Sequence, residues 1–137
     1  MRAVIDTNVV FEGLTKQGGA SSLIVKFWEA SLFTPCVSTA IILEYYDVCG
    51  RLLSPKRWKQ TEPILERLLD QVILVNIHYT WRPSSPDPGD DAIIDCAING
   101  RAVIVTNNIK DFRMAELNLG IQVLKPTEFL NLLLENT

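Results

Sequence analysis

Residues suited to redox chemistry and to zinc are scarce in this chain. Of 137 residues, three are cysteine and one is histidine. Cys36, Cys49 and Cys96 are odd in number and scattered, with no Cys-x-x-Cys pair. This points to neither a disulfide framework nor a zinc knuckle. Cys36 and Cys96 lie in apolar stretches and read as buried thiols. His78 has no His or Cys cluster near it, so it reads as a structural or surface residue rather than a zinc ligand. Long apolar runs are missing too: no window holds the roughly 18 apolar residues that a membrane span needs. No basic segment followed by an apolar core and cleavage site opens the chain. The expectation is a cytoplasmic protein with no membrane partner. There is no repeat, no low-complexity tract and no long linker, so a single domain over residues 1–137 is expected. Nor is there an excess of positive charge: the net charge is −3, which does not by itself announce nucleic-acid binding.

What is present is alternation. Apolar runs of strand character at residues 2–5, 33–37, 72–76, 102–106 and 122–124 are separated by helical patterns. A short helical segment near 9–14 is followed by "GASSLIVKFWEASL", with Leu23, Ile24, Phe27, Trp28 and Leu32 at helical spacing. Ser38 is the expected N-cap of "TAIILEYYDVCGR". A longer amphipathic stretch, 56–71, turns Ile64, Leu65, Leu68 and Leu69 inward, and Pro63 predicts a break between Gln60 and Glu62. "YTWRPSSPDPG" is an irregular loop, and helices are expected over 90–98, 110–116 and 127–136. This order predicts an α/β protein, a three-layer α/β/α fold on a mainly parallel central sheet. "RLLSPKRWK" places Arg51, Lys56, Arg57 and Lys59 around Trp58. It reads as a solvated helix start with one packed Trp, or else as a phosphate-contacting patch.

The acids fall where such folds build sites, beyond the carboxyl ends of strands. Asp6 ends the first strand in "AVIDTNVVF". An ionised carboxylate there is costly to bury without a partner. Glu44 borders the apolar face of its helix. In "PDPGDDAIIDCAI", Asp91 opens a helix, where free N–H groups favour a carboxylate. Asp90 or Asp91 could equally be a simple N-cap, and Asp95 lies one turn further on. In "VIVTNNIKDF" the polar run Thr106, Asn107, Asn108 follows a strand and is also ordinary turn chemistry. Carboxylates gathered in a cleft repel one another, so the cluster needs a cation. All-oxygen ligation suits Mg²⁺ or Mn²⁺.

Taken together, "VIDTNVV", "VSTAIILEYYDV", "DPGDDAIIDCAI" and "VIVTNNIKDF", in this order and spacing, resemble a PIN domain, the nuclease fold of VapC-type toxins. The closing "VLKPTEFLNLL" resembles the ending of a toxin subgroup. The resemblance implies a metal-dependent endoribonuclease that is the toxin of a toxin–antitoxin pair, with an RNA substrate, an antitoxin partner and a homodimeric state. Asp6, Glu44 and Asp91 match the main acids of the family's metal site, where they would hold Mg²⁺ or Mn²⁺. Many members carry a fourth acid two residues after the Thr of the late strand. Here that position is Asn108, an oxygen donor without charge, which puts a second metal position in doubt. Asn8, Thr39 and Thr106 would be hydrogen-bond partners of the acids. Lys16, Arg51, Lys56, Arg57 and Lys110 are candidates for RNA phosphates.

Three rivals stand beside this reading. A receiver domain would explain Asp6 and the Lys-Pro step, but it lacks adjacent acids after the first strand and a mid-chain strand ending in Asp. A haloacid-dehalogenase-like phosphatase needs a second Asp where Asn8 stands. A PIN scaffold without catalysis, binding RNA or protein, is consistent with Asn108.

Overall fold

The computed structural model describes residues 1–80 and 87–136. The middle of the 79–89 loop expected from the sequence lies outside them. Five strands form one sheet: β1 (Arg2–Ile5), β2 (Thr34–Val37), β3 (Ile73–Leu74), β4 (Val103–Val105) and β5 (Val123–Leu124). Their order is β3-β2-β1-β4-β5, and every pairing is parallel. Seven helices among the described residues link or follow them: α1 (Thr7–Thr15), α2 (Gly19–Glu29), α3 (Thr39–Leu52), α4 (Pro55–Leu69), α5 (Pro88–Gly100), α6 (Arg113–Leu119) and α7 (Pro126–Glu135). A 3-10 turn, Ile109–Phe112, precedes α6. The result is the three-layer α/β/α arrangement expected from the alternation.

β1 is central because Ala3, Val4 and Ile5 are apolar in succession, and all three are buried. A strand covered on both faces reads as such a run. Aromatic contacts tie the layers together. Trp28 of α2 and Phe129 of α7 meet Phe33 edge-on, with ring centroids 6.1 and 5.1 Å away. The Trp28 indole N–H also donates to the Leu68 carbonyl of α4 at 2.9 Å. Helix starts follow local chemistry. Ser38 caps α3 through Ile41 N–H, and Ser54 caps α4 through Arg57 N–H.

Two expectations need correction. The break between Gln60 and Glu62 does not occur, because α4 runs unbroken through Pro63. Pro63 lies on the exposed side, while Thr61, Leu65 and Leu68 anchor the same helix to the interior. That packing outweighs the one intrahelical hydrogen bond a proline removes. Nor is Asp90 or Asp91 the cap of α5. Asp87 is, its carboxylate accepting from Gly89 N–H at 2.9 Å, with Pro88 in the first turn. In the basic cluster, half-buried Trp58 meets Tyr46 edge-on at 5.8 Å, while Arg51, Lys56, Arg57 and Lys59 are exposed. All three cysteines are buried, and His78 is exposed. Among the described residues no helix is long and apolar enough to cross a membrane.

Candidate active site

Strand register decides what Asp6 meets. β1 pairs with β4 as Ala3↔Val103, Val4↔Ile104 and Ile5↔Val105, so the next residues on each strand, Asp6 and Thr106, stand side by side. Asp6 N–H donates to the Val105 carbonyl at 2.9 Å, extending the ladder by one step. The Asp6 side chain then turns across to β4. Its Oδ2 accepts from the Thr106 hydroxyl at 2.7 Å, and its Oδ1 accepts from Thr7 N–H at 2.8 Å, which also caps α1. Both residues are buried, Thr106 completely. The carboxylate of Asp6 is therefore held in one orientation by one group just after β4 and one at the start of α1.

Burial first, and neighbouring acids second, set the electrostatics here. Burial pushes the Asp6 carboxyl above its ordinary pKa. The bonds from Thr106 and Thr7 pull it down without cancelling that rise, and the charges of Asp111 and Asp87 push it further up. Glu44 is raised as well, first by burial, then by Asp47, Asp87 and Asp6, with Arg51 opposing. Loss of solvation disfavours the ionised form, and nearby like charges add to the penalty.

α3 and α5 bring Glu44 to this place. A Cβ on Gly89, in the first turn of α5, would lie 3.3 Å from Glu44 Oε1 and 3.4 Å from Asp87 Oδ1. The glycine thus lets the Glu44 carboxylate reach the start of α5. Tyr45, the next residue on α3, is fully buried and donates its hydroxyl to the Ile5 carbonyl at 2.5 Å. It pins α3 to β1 one residue before Asp6.

Of the acids singled out from the sequence, Asp6 and Glu44 feel one another's field. Asp91 is half-buried one turn into α5, its N–H bonded to the Asp87 carbonyl. Asp95 is buried further along the same helix. Asn108 is exposed and acts through its backbone: its N–H donates to Thr106 Oγ1 at 2.9 Å, and its carbonyl accepts from Asp111 N–H at 3.0 Å. Asn8 and Thr39, expected as partners of the acids, are exposed, and among the described residues Asp6 takes its side-chain bonds from Thr7 and Thr106 instead. Two acids escaped the sequence reading. Asp87 was signalled by standing just before a proline that opens a helix. Asp111 had no such signal, since only the 3-10 turn after Asn108 carries it back toward Asp6.

The donors are carboxylates, a hydroxyl and amides, a set that suits a hard divalent cation. Such a cation would offset the burial, and the lesser repulsion, that raise Asp6 and Glu44. Among the described residues, no group of three His, Cys, Asp or Glu side chains is arranged closely enough to hold an ion as it stands. The chemistry of the donors fits a metal, while the side-chain arrangement is open rather than closed around one.

Comparison with known proteins agrees with this geometry. A sequence model of the PIN domain matches residues 2–110. Similar solved structures include VapBC2 from Rickettsia felis bound to a DNA fragment from its promoter. There the TM-score is 0.66 at 17% identity, over 91% of this chain and 98% of the other. FitAB bound to the IR36 DNA fragment aligns with a TM-score of 0.63 at 16% identity, over 90% of this chain and 94% of the other. VapBC-1 from nontypeable Haemophilus influenzae aligns at 0.63 and 17%, over 93% and 99%. At such identities the likeness is one of fold. No curated protein matches the chain significantly in sequence.

Proposed function

The chain belongs to the PIN domain family, and from that premise we propose that it is a metal-dependent endoribonuclease, the toxin of a toxin–antitoxin pair. The observation carrying the proposal is the buried carboxylate of Asp6. It is locked between Thr106 and Thr7 and lies within the fields of Asp87 and Asp111, beyond the carboxyl ends of β1 and β4. A protein core does not retain such a charge for packing, because burial makes it costly. The similarity to VapBC structures supports an antitoxin partner, and a second copy of this chain is proposed as well.

Asp6, Glu44 and Asp91 would hold Mg²⁺ or Mn²⁺. When bound, the cation supplies Lewis acidity toward water and the scissile phosphate. The chain's own residues do the rest. Thr106 and Thr7 fix the Asp6 oxygens so that they need no reorientation. Glu44, its carboxylate at the start of α5, would accept a hydrogen bond from the attacking water and so orient it. Asp91, in the first turn of α5, would help to hold the cation and orient that water. Asn108 holds the β4 loop through its backbone, and Asp111 brings the negative charge that Asn108 lacks.

The test is cleavage of mixed cellular RNA with Mg²⁺ or Mn²⁺, paired with calorimetric titration of the metal. Activity that disappears in a folded Asp6→Asn protein is expected, and metal-dependent turnover unchanged by that substitution would refute the assignment. The neutral Asn108 and the open arrangement of the acids favour one second reading, a scaffold that binds RNA or protein without cutting it. Metal binding with no cleavage of any RNA would establish that instead.

A further inference from the structure

Glu44 and Asp47 stand on α3, and Asp87, Asp90 and Asp91 at the start of α5, with Arg51 3.7 Å from Asp47. Cations gather on the other flank, beyond β4 and β5. A surface cavity of about 650 Å³ there is lined by Lys110, Arg113 and Lys125, together with Asp111, whose charge reaches Asp6. It adjoins a second cavity of about 260 Å³, with which it shares Asn107 and Lys125 and to which Lys16 contributes. Two of the carboxylates in these walls, Glu12 and Glu128, have partners of their own. Glu12 takes the Asn107 amide at 2.9 Å and lies 3.8 Å from Lys16, while Glu128 Oε1 accepts from Lys125 N–H at 2.8 Å. The side-chain cations of Lys110, Arg113 and Lys125 have no ion-pair partner within 4.0 Å among the described residues.

We propose that single-stranded RNA leaves the acidic pocket across the β4–β5 edge of the sheet, its phosphates held by Lys110, Arg113 and Lys125. The proposal rests on the nuclease reading for the identity of the polyanion, and it adds the path and the residues that hold it. A polyanion crossing β4 and β5 meets, beside Asp111, three cations with no ion-pair partner within 4.0 Å among the described residues. The volume of the larger cavity falls within the roughly 300–1,000 Å³ of sites that enclose small molecules, room for a nucleotide unit rather than a duplex. No aromatic side chain lines either cavity to stack a base, so the contact is to backbone and tolerant of sequence. The same placement demotes the basic cluster of α4, where Arg57 instead reaches the Thr15 carbonyl at 3.4 Å.

The test is fluorescence anisotropy of a labelled mixed-sequence single-stranded RNA with the full chain in EDTA, where metal-dependent cleavage is silent, over a series of salt concentrations. Lys110→Glu, Arg113→Glu and Lys125→Glu combined should cost at least tenfold in affinity. They should also lower the slope of log K against log salt by about 2, since each phosphate contact on single strands contributes about 0.7. Lys56→Glu, Arg57→Glu and Lys59→Glu, the same change in charge placed on α4, should cost less than twofold. If the glutamate set fails to fold by circular dichroism, the corresponding glutamine set serves. Equal losses from both sets, a loss from the α4 set alone, or no RNA binding by the wild type would overturn the proposal. The nuclease reading fails separately. Binding that depends on the β4–β5 cations, without cleavage when Mg²⁺ or Mn²⁺ is restored, would support the path and refute the enzyme. Cleavage unaffected by the glutamate set would do the reverse.

Discussion

Replacing Thr106 by valine isolates the contact on which the geometry of Asp6 depends. The side chain keeps its branched shape and loses one hydroxyl. That hydroxyl donates to Asp6 Oδ2 at 2.7 Å and accepts from Asn108 N–H at 2.9 Å, in a residue with no exposed surface. A hydrogen bond to a charged group contributes about 1.5–3 kcal/mol net. The Asn108 amide is only partly buried, so water replaces much of what it loses. The added methyl returns about 0.8 kcal/mol of apolar burial. The net expectation is a destabilisation of about 1–2 kcal/mol at neutral pH, measured by urea unfolding in EDTA. Because the bond lowers the proton affinity of Asp6, its loss also moves that carboxyl further above its ordinary pKa. A double-mutant cycle with Asp6→Asn assigns the energy: the valine should cost about 1 kcal/mol less in the asparagine background, since the bond no longer meets a charge. A cost under about 0.5 kcal/mol, or the same cost in both backgrounds, would show that Thr106 does not support the ionised carboxylate.

Asp6→Asn by itself should stabilise the metal-free protein at pH 7. The folded pKa of Asp6 lies above its ordinary 3.8, so its stabilising contribution is complete below that value and is lost as pH rises through the raised one. At neutral pH the wild type carries the burden of a buried charge that asparagine lacks. The advantage of the variant in urea midpoint should therefore shrink in acid, and a gain that grows on acidification would contradict the assignment. Tyr45→Phe removes the hydroxyl that pins α3 to the Ile5 carbonyl. It should cost about 1–2 kcal/mol in stability and weaken Mn²⁺ binding by calorimetry, so unaltered metal affinity would detach Tyr45 from the site. The helix glycines should respond in opposite directions. A Cβ at Gly13 would sit 2.6 Å from the Ser21 carbonyl oxygen and 2.5 Å from Val25 Cγ2, whereas at Gly50 the nearest atom is 3.8 Å away on Trp58. Gly13→Ala should destabilise by about 1–3 kcal/mol and Gly50→Ala should stabilise by about 0.5–1 kcal/mol, both read from thermal melts.

Local chemistry makes much of the fold legible in the sequence. Three consecutive apolar residues before Asp6 signal a strand buried on both faces, and Ser38 before a helical pattern signals a cap. Those signals require only near neighbours in the chain. Pro63 shows the limit: its propensity argues for a break, and the anchoring of Thr61, Leu65 and Leu68 in the core prevails over it. Element ends shifted for the same reason. β3 is only Ile73–Leu74 where a longer strand was expected, because it lies at the sheet edge with β2 as its one neighbour.

The site was legible in part, and the division follows from how each acid is placed. Asp6 and Thr106 are adjacent because each directly follows its strand, and parallel register aligns residues that end neighbouring strands. Asp87 and Asp111 depend on turns. The charge expected two residues after Thr106 is absent at Asn108, yet Asp111 N–H bonds the Asn108 carbonyl within the 3-10 turn, and its carboxylate adds its field to Asp6. The negative charge of the pocket thus need not sit at a fixed offset from the threonine. A neutral residue at that offset is compatible with an anionic centre whenever the following turn curls back, so Asn108 alone argues against catalysis less strongly than its position in the sequence implies.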